Sequence, residues 1–283
     1  MHEGLDFGRP QPALTFRGSA VQAMKIAGYL TDLTDAQWAV LQPLLPAAHR
    51  RGRPRTALRR VVDALLYITK AGGQWRLLPH GFPPWQTVYH HWRTWCRAGL
   101  PARLNTRLRR LVRRAAGKRT RPTAAVLDSQ TVRASAHGGA VGYDAGKKTK
   151  GRKRFLLVDT LGLVLGAAVA PANTPERAGA QALLEPVLPH FPWLRKLWVD
   201  GGYTGADFAA WVKTQRPKLA VEVIKRSDDV RGFKVLTKRW VVERTFGWLM
   251  QHRRLVRDYE ETETSATGFI FLALLRLMLR RLA

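Results

Sequence analysis

The chain has 283 residues, 46% of them hydrophobic and ten of them Trp, so it can bury a real core and is not a disordered polymer. Lys and Arg number 48 against 20 Asp and Glu, a formal net charge of +28 that attracts polyanions and repels itself unless a partner neutralises it. One cysteine excludes an internal disulfide and a multi-cysteine metal site, and the longest apolar run, Leu161 to Ala172, falls short of the roughly 20 residues a membrane helix needs.

Residues 1–28 carry Gly, Pro and scattered polar residues without period and read as a flexible leader. They lack the basic start and apolar stretch of a signal peptide. The expected protein is therefore cytoplasmic and reduced, with nucleic acid and not membrane as its partner. TDLTDAQWAVLQPLLP opens with the cap-type residues Thr31, Asp32 and Thr34, then spaces Trp38, Leu41, Leu44 and Leu45 for a helix. A basic loop, HRRGRPR, follows. Thr56 is expected to cap a second helix, apolar at Val61, Val62, Leu65, Leu66 and Ile68 and ended by Gly72-Gly73. WQTVYHHWRTWCRAG reads as a third helix with Trp85, Tyr89, Trp92 and Trp95 on one core face, and ARLNTRLRRLVRRAAG as a fourth.

From Arg50 to Arg121 there are 19 Lys and Arg and one acidic residue, Asp63. An ordinary surface intersperses both signs. The one-sidedness points to a helix-turn-helix-like DNA-binding domain over 29–118, with Arg51, Arg53, Arg55 and Arg93 as DNA contacts. The alternative is a helical bundle with a solvated basic face.

After Pro122 the period shifts to strand. TAAVLD reads as a strand ending at Asp128. RFLLVDT and LGLVLGAAVAPA form a hairpin, PERAGAQALLEPVLPHF a helix, KLWVD a strand, TGADFAAWVKTQ a helix capped by Thr204, and AVEVIK a fifth strand. Two helices finish the chain, over about 237–253 and 264–282. This order predicts an α/β domain over 119–283 around a mixed five-stranded sheet. GKKTKGRKR holds six charges in its last eight residues, which cannot be buried unpaired. Lys147, Lys148, Lys150 and Lys153 are expected in a loop that grips DNA backbone beside Asp128, or else at a solvated hairpin tip.

The scarce acids carry the chemistry. Asp128 and Asp200 are read at strand ends, where active groups gather in open α/β sheets, and Glu243 sits on the helix after the fifth strand. Each alone also reads as a turn residue or a surface ion pair. Together they are the oxygen ligands a hard divalent cation takes, in a site able to run an in-line displacement at phosphorus.

LDSQTVR, LWVDGGYTG and RWVVERTFGWLMQHRR, in this order, resemble the three acidic motifs of DDE insertion-sequence transposases, in the family named after insertion sequence five. LTDAQWAVLQPLLP, GRPR and GGQWRLLPHGFPPWQTVYHHWRTW resemble that family's N-terminal region, so the likeness runs from about residue 30 onward. It implies a ribonuclease-H-like catalytic domain with Asp128, Asp200 and Glu243 as catalytic and metal-ligating triad. It also implies two Mg²⁺ or Mn²⁺ ions, and a homodimer acting on double-stranded DNA, both terminal inverted repeats and target, at the bacterial nucleoid. Relatives of the insertion-sequence-four type carry Tyr, Arg, Glu and Lys around the last motif. Arg239 matches, but Leu236 stands at the Tyr position and Met250 at the Lys position. The basic role is then expected at Arg253 or Arg254, with Arg254 on the same helix face as Glu243, and Arg244 is counted among the DNA contacts. Two other readings stay open from the residues: a DNA-binding regulator without catalysis, and a ribonuclease-H-like nuclease without strand transfer.

Overall fold

The computed structural model describes residues 28–47, 56–136, 138–224 and 240–283. Residues 1–27 of the leader, Arg51, Arg53, Arg55, Leu236 and Arg239 lie outside the described residues. Helix α1 (Asp35–Leu41) begins at a capping box: the Thr34 hydroxyl accepts from the Gln37 N–H at 3.2 Å, and the Gln37 side chain accepts from the Thr34 N–H at 3.3 Å. Helices α2 (Leu58–Ala71), α3 (Trp85–Arg97) and α4 (Leu100–Ala115) follow. Ala57, not Thr56, precedes α2, without a side-chain cap. Asp63, the lone acid of the basic stretch, is buried and accepts from the Leu33 N–H at 2.9 Å, which ties α2 to the start of α1.

The sheet contains β1 (Ala124–Arg133), β2 (Gly142–Asp144), β3 (Thr149–Asp159), β4 (Val164–Pro171), β5 (Lys196–Val199) and β6 (Ala220–Val223). Strand β1 lies between antiparallel β3 and parallel β5, and β6 extends the parallel side; β4 and the short β2 both pair with the far side of β3. Helices α5 (Glu176–Val187) and α6 (Ala206–Gln215) cover one face, over Ala125, Leu127, Phe155, Leu157, Leu197 and Val199. The other face, with Val126, Leu156, Val158 and Trp198, packs against α7 (Trp240–Met250) and α9 (Glu263–Leu279), between which runs the single turn α8 (Arg253–Val256). Helix α9 also packs on α2, α3 and α4, so the helical region and this face share one core. Where α2 ends, Gly72 takes a left-handed φ of 75°, and a Cβ there would lie 2.8 Å from the Arg253 Cβ.

Several sequence expectations change. The sheet has six strands and not five, because Gly142–Asp144 pairs with the start of β3. Gly205, not Thr204, precedes α6, without a side-chain cap. Strand β1 runs five residues past Asp128, because β3 keeps pairing to Arg133 after β5 has ended. The basic segment is a loop only at its tip: from Thr149 it is strand, and Arg152, Lys153 and Arg154 are 1%, 6% and 2% exposed. Burial is tolerated because each finds partners. Arg154 donates to the Leu255 carbonyl at 2.6 Å, and Arg152 to the Ala140 carbonyl at 3.0 Å beside Asp258 at 3.8 Å. Lys153 donates to the Thr174 carbonyl at 3.0 Å and pairs with Glu176 at 3.1 Å. Finally, the helix bearing Glu243 stops at Met250, so Arg254 belongs to a separate turn and not to the Glu243 face.

Candidate active site

The parallel register of β1 and β5 pairs Ala124 with Lys196, Ala125 with Leu197 and Val126 with Trp198. Two more residues along each strand reach Asp128 and Asp200, which therefore stand level with each other. Strand alternation places both on the face of Val126 and Trp198, the face that α7 covers. Both are half-buried. Asp128 Oδ1 accepts from the Ser129 N–H at 2.7 Å. Asp200 caps the short turn Gly201–Tyr203, its Oδ1 accepting from the Gly202 N–H at 3.0 Å.

Glu243 lies in the first turn of α7, exposed to solvent beside buried Val241 and Val242. The helix is fastened to the β3–β4 turn by its other face. Thr245 Oγ1 donates to the Gly162 carbonyl at 2.9 Å and Arg244 Nη2 to the Leu161 carbonyl at 3.1 Å. The Arg244 guanidinium stacks between Trp240 and Trp248, 4.3 and 4.7 Å from the ring centres. Burial, and then the charge of Arg281, pull its pKa below the ordinary value. Arg244 is thus already engaged within the protein.

A fourth carboxylate joins the two aspartate segments. Glu176, the first residue of α5, accepts from Ser129 Oγ at 2.6 Å and from Tyr203 Oη at 3.2 Å on one oxygen, and its other oxygen meets Lys153 Nζ at 3.1 Å. Tyr203 is 1% exposed. Burial foremost, then the charges of Glu176, Asp128 and Asp200, hold its hydroxyl protonated far above the usual tyrosine range. The sequence reading passed over Glu176 as part of a helix. The same scarcity that drew attention to Asp128 and Asp200 would have flagged it, one residue inside a helix that returns to the sheet.

Of the expected DNA contacts, Lys147 and Lys148 are exposed at the β2–β3 hairpin tip, Lys150 is exposed on β3 beside it, and Arg93 and Arg253 are exposed on α3 and α8. Lys148 and Lys150 join Arg133, Arg257 and Tyr143 around a groove of about 500 Å³ that no described carboxylate lines. Lys153 and Arg254 instead point inward. Arg254 is buried, bonded to Glu260 at 2.6 Å and to the Gly73 carbonyl at 3.0 Å, because it closes the seam between α2 and α9.

Asp128, Asp200 and Glu243 offer only hard oxygen donors from elements on one face, which suits Mg²⁺ or Mn²⁺ in donor chemistry. As arranged, no group of three His, Cys, Asp or Glu among the described residues is closed to metal-binding distance. No helix among the described residues is long and apolar enough to cross a membrane.

Residues 119–279 match the family described as "Transposase DDE domain", and residues 33–105 match "Putative transposase of IS4/5 family". The chain is also similar to "Uncharacterized protein y4sN" of Sinorhizobium fredii (strain NBRC 101917 / NGR234), 33% identical over 69 residues. That stretch is 24% of this chain and 55% of the relative, so the chain spans about half the relative's length.

Proposed function

The chain belongs to the DDE transposases, whose catalytic domain is ribonuclease-H-like, and from that premise we propose that it binds the terminal inverted repeats of an insertion sequence and catalyses divalent-metal-dependent strand cleavage and strand transfer. The observation that carries this reading is the level placement of Asp128 and Asp200 across adjacent parallel strands, on the face covered by the helix bearing Glu243. Recognition of the element ends is assigned to the helical region, residues 29–118, and the chemistry to residues 119–283, in a homodimer assembled on DNA.

In the first step a water oxygen attacks the scissile phosphorus in line and the strand's 3′ oxygen leaves as a hydroxyl; in the second that 3′-hydroxyl attacks a target phosphodiester, joining to its phosphorus while the target strand's own 3′ oxygen leaves and takes up a proton. Asp128, Asp200 and Glu243 would hold Mg²⁺ or Mn²⁺, which would supply Lewis acidity at the reacting phosphate. The protein's own contribution is position. The Ser129 and Gly202 amides orient the two aspartates, and packing of Val241 and Val242 fixes α7 under Glu243. Exposed Lys147, Lys148, Lys150 and Arg253 meet backbone phosphates, which locates the duplex without reading bases.

The test is cleavage of a labelled element-end duplex in Mg²⁺ by Asp128→Asn, Asp200→Asn and Glu243→Gln. Each should lose roughly two to three orders of magnitude in rate, the range for removing one electrostatic stabiliser of a transition state. Binding of the ends should persist, and metal-free stability should hold or rise as carboxylate repulsion is relieved. Near-wild-type cleavage by any one of them removes that residue from the triad.

A further inference from the structure

Glu176 grips the residue after Asp128 and the turn that Asp200 caps. Ser129 Oγ and Tyr203 Oη both donate to its Oε2, at 2.6 and 3.2 Å. Ser129 follows Asp128 on β1, and Tyr203 closes the turn whose cap is Asp200. These hydroxyls are the cross-link between the two segments just where β1–β5 pairing has stopped, at Val126 and Trp198. Beyond that point no ladder bond fixes how far apart Asp128 and Asp200 stand.

The Glu176 side chain faces a buried cation. Lys153 lies at 3.1 Å from Oε1, is itself buried, and is anchored by the Thr174 carbonyl at 3.0 Å and by Asp144 at 3.9 Å. The carboxylate also occupies the first turn of α5, where the helix dipole favours a negative group. A Gly202 Cβ would sit 3.6 Å from the Glu176 Cγ, so the glycine turn packs directly over this side chain.

We propose that Glu176 is a positioning residue that sets the separation of Asp128 and Asp200 from the opposite face of the sheet, acting through Ser129 and Tyr203, with Lys153 as its counter-charge. This rests on the reading of Asp128 and Asp200 as metal ligands. Groups that orient metal ligands typically change metal affinity by about 10–100-fold when removed.

The experiment titrates Mn²⁺ into the full chain and follows free ion by electron paramagnetic resonance, alongside thermal melting. Asp128→Asn should abolish site binding. Glu176→Ala should weaken Mn²⁺ affinity by about tenfold. Glu176→Gln, which keeps an acceptor oxygen but loses the charge facing Lys153, should fall between Glu176→Ala and wild type, and Tyr203→Phe should shift affinity in the same direction. Leu184→Ala destabilises the same helix without touching this cluster, and should leave affinity unchanged. If Glu176→Ala binds Mn²⁺ like wild type while Asp128→Asn does not, the positioning role is overturned and the active-site reading stands. Should Glu176→Ala abolish binding as fully as Asp128→Asn, Glu176 is itself a ligand and the role is again wrong. Loss of affinity in Leu184→Ala equal to that in Glu176→Ala reduces the effect to general loosening. Binding unaffected by Asp128→Asn brings down the active-site reading and this inference with it.

Discussion

Arg254 carries a cation into the core and survives there because every side of it is occupied. Its Nε and Nη2 meet Glu260 Oε1 at 2.8 and 2.6 Å, its Nη1 donates to the Gly73 carbonyl, and its guanidinium lies 4.6 Å from the Phe269 ring centre and 5.2 Å from that of Trp75. Glu260 then accepts from Ser265 Oγ at 2.6 Å, and Ser265 from Trp92 Nε1 at 3.0 Å. A buried pair is weak evidence of net stabilisation, but breaking it leaves an uncompensated charge. Arg254→Met should lower stability by about 3–5 kcal/mol in chemical denaturation, and the double variant Arg254→Met, Glu260→Leu should recover most of that loss. An Arg254→Met variant as stable as wild type, with weaker DNA binding, would return Arg254 to the DNA surface.

At the scale of elements, the break between α7 and α8 centres on His252. Its Nδ1 lies 3.2 Å from the Trp248 carbonyl, which can only accept, so that nitrogen bears the proton of the neutral ring. Burial first, with Lys70 and Arg276 adding their charges, drives its pKa down to about 4. An unfolded histidine titrates near 6.5. Between about pH 6.5 and 4 the unfolded chain therefore binds the extra proton, so this group's contribution to stability is present above that window and is lost as pH falls through it. His252→Gln should flatten the fall of the guanidinium midpoint across pH 6.5 to 4 relative to wild type; parallel curves would show that His252 titrates normally. The elements on either side were legible to different degrees. Helices α2 to α4 follow from a 3.6-residue apolar period that each segment contains within itself, and the parallel β5 and β6 from short apolar runs. The extent of β1, the inward turn of Lys153 and Arg154 and the end of α7 were not, because their causes lie elsewhere in the chain. Arg154 donates to Leu255 and Lys153 pairs with Glu176, and no local pattern announces a partner 101 or 23 residues away.

For the molecule as a whole, a formal charge of +28 means that much of any DNA affinity comes from counterion release. The described structure divides the candidate cations into those already spent inside the protein and those still facing outward. Changing Lys147, Lys148 and Lys150 together to Gln should lower the salt slope of log K by up to about 3 and weaken element ends and unrelated DNA by similar factors. Changing Lys153 should instead act through Glu176, with little effect on the slope. An unchanged slope in the triple variant would mean that the hairpin tip faces water, and a loss confined to element ends would mean that it reads bases. The assignment of Asp128, Asp200 and Glu243 came from motif order and scarcity of acids; what the sequence could not convey was the register that sets the first two level, because register belongs to a pair of strands.

The helix that completes the basic N-terminal bundle is also among the last parts of this sequence to be made. Some 148 residues separate the end of α4 from the start of α9, which at synthesis rates of about 5–20 residues per second is roughly 7–30 s of translation. Through that interval the nascent α2, α3 and α4 lack the surface against which Trp92, Leu104 and Leu108 are buried. Arg276 has not yet reached the Leu30 and Thr31 carbonyls. The order of synthesis thus withholds the finished bundle until the strands carrying Asp128 and Asp200, and the helix carrying Glu243, have all left the ribosome.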